Sequence, residues 1–277
     1  MAKMNSSQRA IAYGVMLTAA FLFLFPYIWM FGTSLKTNFE ASANPASLFP
    51  AVPQFGNYSE TFTFLNFSRL FVNSLIVSIA VTIFQLVLAA PAGYAFARFK
   101  FRGRNPLLLL MLSMLIIPFE ALFVPVYIML SRLGWVNTYW GLIIPSIANP
   151  FAVYVFRQFF VTLPADLEEA AYVDGATKFQ VFWRIMLPLA QPAIVTITIL
   201  TFLAEWGALL KPLIFATSDD MRTLQVGLTF LNRGAMVSEP KVAWLMAGTG
   251  MVILVPMVIF IVGQRYFVES IARSGIK

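Results

Sequence analysis

The chain has 277 residues, of which 60% are hydrophobic and 11% charged, and its mean hydropathy is +0.79. A soluble domain is usually nearer a quarter charged, so this chain cannot cover a core with polar surface and reads as an all-α polytopic membrane protein. It holds no histidine and no cysteine, which excludes disulfides, thiol nucleophiles, Ser-His-Asp triads and nearly all zinc or haem sites. The net charge of +7 is read as loop charge beside a membrane, with no nucleic-acid partner implied.

Crossing ~30 Å of hydrocarbon takes a run of about 17–25 apolar residues. Six runs qualify, at 10–31, 70–96, 106–130, 139–160, 189–215 and 242–262. The chain 1–277 is therefore expected to be one transmembrane domain of six helices. The first run follows Lys3 and Arg9 but is longer than a signal-peptide core and lacks an A-x-A site, so it is expected to stay as a helix. Between runs two and three, "ARFKFRGRNP" packs four cations into a short loop, and cations concentrate on the cytoplasmic side. That puts both termini inside, with 12 of the 19 Lys and Arg on the cytoplasmic face, Arg98, Lys100, Arg102 and Arg104 among them.

Two loops on the other side, 34–69 and 216–241, are long. Each reads either as a solvated connector or as a docking surface for a partner outside the membrane. No internal repeat is visible.

Residues 161–188 lie on the cytoplasmic side and contain "EEAAYVDGATKFQVFWRIMLP". Pro164 suits a first helical turn and Asp166 a cap. Glu168 and Glu169 favour the positive end of a helix, and Ala170 and Ala171 propagate it. Gly175 ends it in a left-handed turn, and Thr177 caps a second helix. Phe179, Phe182 and Trp183 fall on one face of that helix, and Pro188 turns the chain back into the membrane. By itself this is a two-helix knuckle, charged on one side and aromatic on the other. An interfacial anchor would look alike.

The same stretch resembles the EAA loop of binding-protein-dependent ABC importer permeases. That pattern is Glu-Ala-Ala, three residues, Gly, nine residues, Ile, one residue, Leu-Pro. It is met by Glu169, Ala170, Ala171, Gly175, Ile185, Leu187 and Pro188. "FGNYSETF", "NSLIVSIAVT", "AGYAFARFKFRGR", "IPFEALFVPVY" and "QRYFVESIARSGIK" are likewise similar to carbohydrate-type permeases, notably the six-span permease subunit of the maltose transporter. One departure is Trp206-Gly207 with Lys211-Pro212, where the family commonly has Trp-Asn and then an aromatic or polar residue before Pro-Leu. The solute therefore stays open, from a disaccharide or oligosaccharide to a sugar alcohol or glycerol phosphate.

The resemblance implies a bacterial plasma-membrane importer built from two related permeases. A cytoplasmic ATPase dimer holds ATP and Mg, and an extracytoplasmic solute-binding protein delivers a sugar-like substrate. It assigns ATPase coupling to Glu169, Ala170, Ala171, Asp174, Gly175, Ile185, Leu187 and Pro188. No cofactor is implied in this chain, which lacks a phosphate loop and is not expected to be an enzyme. The competing reading is a secondary transporter or channel subunit with no ATPase.

Charges inside the membrane read as functional by default. Glu120 and Glu205 lie roughly 20 and 24 Å in from the cytoplasmic ends of their runs at 1.5 Å per residue. They are candidates to line a wet path for sugar, or else to pack helices or face a vestibule, and Trp206 is a candidate to stack on a sugar face in that path or else to sit in an interfacial aromatic belt. Lys211 falls about 240° around a continuous helix from Glu205 and is expected at the outer surface, unpaired with it. Pro118, Pro125 and Pro212 suggest broken helices. The C-terminal tail reads as a lipid anchor or, through the resemblance, a second contact with the ATPase.

Overall fold

The computed structural model describes residues 5–233 and 241–274, with the backbone alone for residues 6, 232, 233 and 264–274. The readings made on Lys3 and on the side chains of the tail lie outside it. Every described element is a helix. Three are long and apolar enough to cross a bilayer, namely Ser7–Ser34, Phe67–Arg98 and Val242–Gly263. Three bent pairs pass the same test together: Arg104–Ile116 with Phe119–Arg132, Tyr139–Ser146 with Pro150–Thr162, and Lys178–Leu189 with Gln191–Trp206.

The breaks follow from proline chemistry. Ile117 precedes Pro118, which disfavours the helical region for it. It takes ψ 114°, and the two halves of that pair meet at 90°. Pro125 interrupts nothing, because it sits in the first turn of Phe123–Arg132, where no N–H is required of it. Between Ser146 and Pro150 the chain bends by 44°. There Asn149 caps the new helix, its Oδ1 accepting from the N–H groups of Phe151 and Ala152, with Pro150 in the first position.

The chain divides into two compact units. One comprises Met1–Phe67 and Gly227–Leu254. Its 34–69 segment is no bare connector. Thr37 caps a short helix Asn38–Ala43, and a second runs Gly56–Phe64. Lys36 is fully buried, its Nζ donating to the carbonyls of Ser47 at 2.7 Å and Asn44 at 3.3 Å. Asn57 donates to the carbonyls of Ser34 and Lys36, both at 2.8 Å. Along the Ser6–Ser34 helix, Leu17, Leu22 and Phe23 are exposed.

The other unit comprises Ser68–Val226 and Val255–Lys277. Within the Phe67–Arg98 helix the usual amphipathic order is reversed. Ser74, Ser78, Thr82 and Gln85 are buried, while Ile76, Ile79, Ile83 and Val87 are exposed. Lipid solvates the apolar face, so helix association rests on close packing and polar contacts. Close packing is visible where Ala89, Ala90 and Gly93 meet the Pro150–Thr162 helix. A Cβ on Gly93 would stand 2.5 Å from Phe156 Cβ, 2.8 Å from Arg157 N and 2.9 Å from the Val153 carbonyl oxygen. Gly93→Ala is expected to lower the stability of the purified protein by roughly 1–3 kcal/mol through overpacking. Gly14→Ala, where nothing lies within 4 Å, should not lower the thermal unfolding midpoint, since Ala is the better helix former.

Candidate functional site

Two places gather the sequence-marked residues. The first is the 161–188 loop. Its first helix is Asp166–Val173, with Ala165 at the N-cap in helical geometry and no side-chain cap. Asp166 is thus a first-turn acid beside Glu168 and Glu169, not the cap, because Ala165 already holds helical dihedrals. At the other end Gly175 takes φ +80°. Gly175 N–H donates to the Tyr172 carbonyl and Ala176 N–H to the Ala171 carbonyl, at 3.1 and 2.9 Å. This pair of bonds is a Schellman stop, and its left-handed residue favours glycine. Thr177 then caps the second helix in a capping box with Gln180.

That helix runs on from Lys178 to Leu189. It widens to a π turn over Phe182–Met186 and passes through Pro188 without breaking. Pro188 has no N–H and would crowd the carbonyl four residues back; the wide turn just before it relieves this. The bend of 71° falls at Ala190, two residues after Pro188, and the next helix is Gln191–Trp206.

The first loop helix has two faces. Glu168 and Ala171 are buried, whereas Glu169, Ala170, Asp174 and Gly175 are exposed. Glu168 Oε1 lies 3.1 Å from Arg98 Nε, an ion pair at the end of the Phe67–Arg98 helix, and Arg98 Nη2 donates a hydrogen bond of 2.7 Å to the Leu163 carbonyl. Tyr94, one turn earlier, packs its ring 5.1 Å from Phe182 and 5.4 Å from each of Phe99 and Phe160. Ile185 and Leu187 pack against the same cluster, and Pro188 is exposed. Of the aromatic trio, Phe182 is buried in this cluster, while Phe179 and Trp183 face out with ring centroids 5.9 Å apart. One side of the loop is thereby fastened to its own helices and the other left bare.

The second place is a cleft of about 590 Å³, lined by Gln85, Phe119, Ser146, Asn149, Phe151, Thr201 and Glu205 among others. Its polar floor is one network. Gln85 Nε2 donates to the Ser146 carbonyl at 2.7 Å. Gln85 Oε1 accepts from Asn149 Nδ2 at 3.2 Å and from Thr201 Oγ1 at 2.8 Å. Lys211 Nζ donates to Ser146 Oγ at 2.7 Å and to Glu205 Oε2 at 2.5 Å.

The Glu205–Lys211 contact corrects the expectation that Lys211 reaches the outer surface unpaired. A 240° offset holds only along a continuous helix. Here the helix ends at Trp206 with Gly207 as C-cap, and a new helix, Leu210–Phe215, starts after the break. The turn carries Lys211 back over Glu205, and their side chains are 7% and 12% exposed. Glu120 sits exposed in the 3-10 turn Phe119–Leu122, next to the Phe119 that lines the cleft. Trp206 is buried, stacked on Phe202 at 5.8 Å and edge-on to Phe71 at 5.6 Å. The sequence reading missed Gln85, Ser146, Asn149 and Thr201. For Asn149 a signal existed, since Asn-Pro opening an apolar run is a helix start.

A helical membrane protein with broken spans, a fastened two-helix loop and a polar cleft among apolar helices has the build of a transport subunit. The family model for the inner membrane component of binding-protein-dependent transport systems matches residues 85–273. The chain is 36% identical to the arabinooligosaccharides transport system permease protein AraQ of Halalkalibacterium halodurans, over 93% of this chain and 92% of that one. It is 29% identical to the lactose transport system permease protein LacG of Rhizobium radiobacter, over 95% of each. It shares its fold, with TM-score 0.82 and 24% identity over 96% of this chain and 100% of the other, with a chain of a bacterial ABC transporter that imports the acidic polysaccharide alginate. The chain belongs to the binding-protein-dependent transport system inner membrane components. It is a permease subunit of an ABC importer, and the secondary-transporter reading falls away.

Stability tests the cleft network directly. Lys211→Met strands a buried carboxylate and is expected to cost roughly 3–5 kcal/mol. Lys211→Met combined with Glu205→Leu should recover most of that loss in thermal unfolding of the purified protein.

Proposed function

We propose that this subunit forms half of the path for an oligosaccharide-like solute in a bacterial plasma membrane, with both termini cytoplasmic. Its partners are a second homologous permease, a cytoplasmic ATPase dimer that holds ATP and Mg, and an extracytoplasmic binding protein that delivers the sugar. The observation that carries this reading is the two-faced loop. Arg98 and the Tyr94 cluster hold its inner face through Glu168, Ala171 and Phe182. Glu169, Ala170 and Asp174 are left on the outer face, where an acid at a helix start can pair with a cation of the ATPase. A loop fastened on one side moves as one piece with its spans. Nucleotide-driven closure of the ATPase pair then shifts the helices behind it.

The cleft supports the solute side. Phe119 and Phe151 offer apolar faces to the CH surfaces of a sugar ring, and Glu205 offers a carboxylate oxygen to its hydroxyls. Glu120 lines the path beside Phe119. Trp206, held between Phe202 and Phe71, backs the wall behind Glu205. The names of AraQ and LacG favour an oligosaccharide or disaccharide.

The assay is ATP hydrolysis by the reconstituted complex of both permeases and the ATPase, with and without sugar-loaded binding protein. Stimulation is expected in the native complex and should fall at least about tenfold in Glu169→Lys. Gly175→Val should fall similarly, because a left-handed residue with a Cβ costs roughly 1–2 kcal/mol, about a tenfold effect. Gly175→Asn should retain stimulation, since Asn tolerates that conformation and nothing lies within 4 Å of the added Cβ. Normal stimulation in both Glu169→Lys and Gly175→Val would remove the loop from the coupling step.

A further inference from the structure

Proteins similar to this chain serve both lactose and the acidic polysaccharide alginate, so kinship leaves the charge of the solute open. We propose that the Glu205 cleft accepts uncharged polyhydroxylated solutes and rejects anionic ones, because the acid Glu205 lines the cleft and holds Lys211 behind its wall. This rests on reading the cleft as part of the carbohydrate path.

Lys211 bonds two residues that line the cleft, yet it does not itself line it. Its ammonium is occupied by Glu205 Oε2 and Ser146 Oγ, and its side chain is 7% exposed. Both of those partners are lining residues, so Lys211 lies behind the wall they form. Glu205 spends one oxygen on Lys211. Its other oxygen makes no hydrogen bond among the described residues, and Glu205 faces the cleft. None of the lining residues is Lys or Arg.

An entering hydroxyl therefore meets a charge-assisted acceptor. An entering carboxylate or phosphate meets like charge in a poorly screened site. The neutral floor residues offset this only weakly: the Thr201 hydroxyl and one Asn149 Nδ2 hydrogen are already given to Gln85 Oε1, and one Gln85 Nε2 hydrogen to the Ser146 carbonyl, so an anion would find only uncharged amide and hydroxyl donors.

The pair thus acts as a selector with a defined reversal. Glu205→Gln keeps the shape and the Ser146 bond of Lys211 but removes the negative charge, leaving an uncompensated ammonium behind the wall that Ser146 helps to line. Lys211→Met does the opposite and leaves the carboxylate alone.

The test is equilibrium dialysis of the purified permease–ATPase complex in nanodiscs, without binding protein so that delivery does not filter the probes. Labelled maltotriose and arabinotriose are each compared with the corresponding aldonic acid. At least one neutral trisaccharide is expected to bind about tenfold or more tightly than its acid. Glu205→Gln should shrink that ratio at least about tenfold or invert it, and Lys211→Met should widen it. A native ratio near one, or a ratio that Glu205→Gln leaves unchanged while the neutral sugar still binds, overturns the charge selection and spares the carbohydrate path. No binding of any of the four probes overturns both. The native ratio requires no variant and decides the matter even where Glu205→Gln fails to assemble.

Discussion

The Gln85 side chain is the contact on which the middle of this subunit depends. In hydrocarbon an unsatisfied polar group costs several kcal/mol, so a break in a span is tolerated only where its freed groups find partners. One amide does this for span four. It bonds the carbonyl of Ser146 on one side of that break, the side chain of Asn149 on the other, and Thr201 of span five. With the break secured, residues 147–149 need not close into a helix, and a cleft remains beside them. The same break gives Ser146 a hydroxyl that is free to receive Lys211.

The two candidate places share one helix. Gln85 and Arg98 stand 13 residues apart on the uninterrupted Phe67–Arg98 helix, about 20 Å at 1.5 Å per residue. Gln85 organises the cleft floor and Arg98 holds the inner face of the loop. Between them Ala89 and Ala90 are buried in the same cluster as Phe156, and Gly93 meets the Pro150–Thr162 helix with no room for a methyl group. The loop and the cleft floor are therefore attached to the same helix, and that helix is locked to its neighbour where it would otherwise slide.

Composition made the fold class legible, because 11% charge leaves no other way to solvate the chain. The loop was legible as well: acids, small residues, a glycine and a Thr cap obey local rules that tertiary contacts seldom override. Its inner attachment was not, since Arg98 read as one of four topological cations and Glu168 as a twin of Glu169. Only the rotation of the helix separates the two acids. In the cleft the acid in span five was visible as a charge in an apolar run. Its partner was missed because periodicity assumes an unbroken helix, and Gly207 ends this one. Gln85, Asn149 and Thr201 carry no charge and vanish in any average over an apolar window. Their role exists only once four segments meet.

The π turn at Phe182–Met186 bears on how such a subunit can change partners over time. A π turn holds one residue more than the regular ladder around it. Losing a single residue there would restore α-helical bonding and swing everything before it by about 100° relative to span five. The face that carries Glu169 would then point elsewhere, and Pro188 would lose the wide turn that accommodates it. The number of residues in that turn is a setting for the direction in which the loop presents itself, separable from the sequence of its exposed face and from that of the cleft.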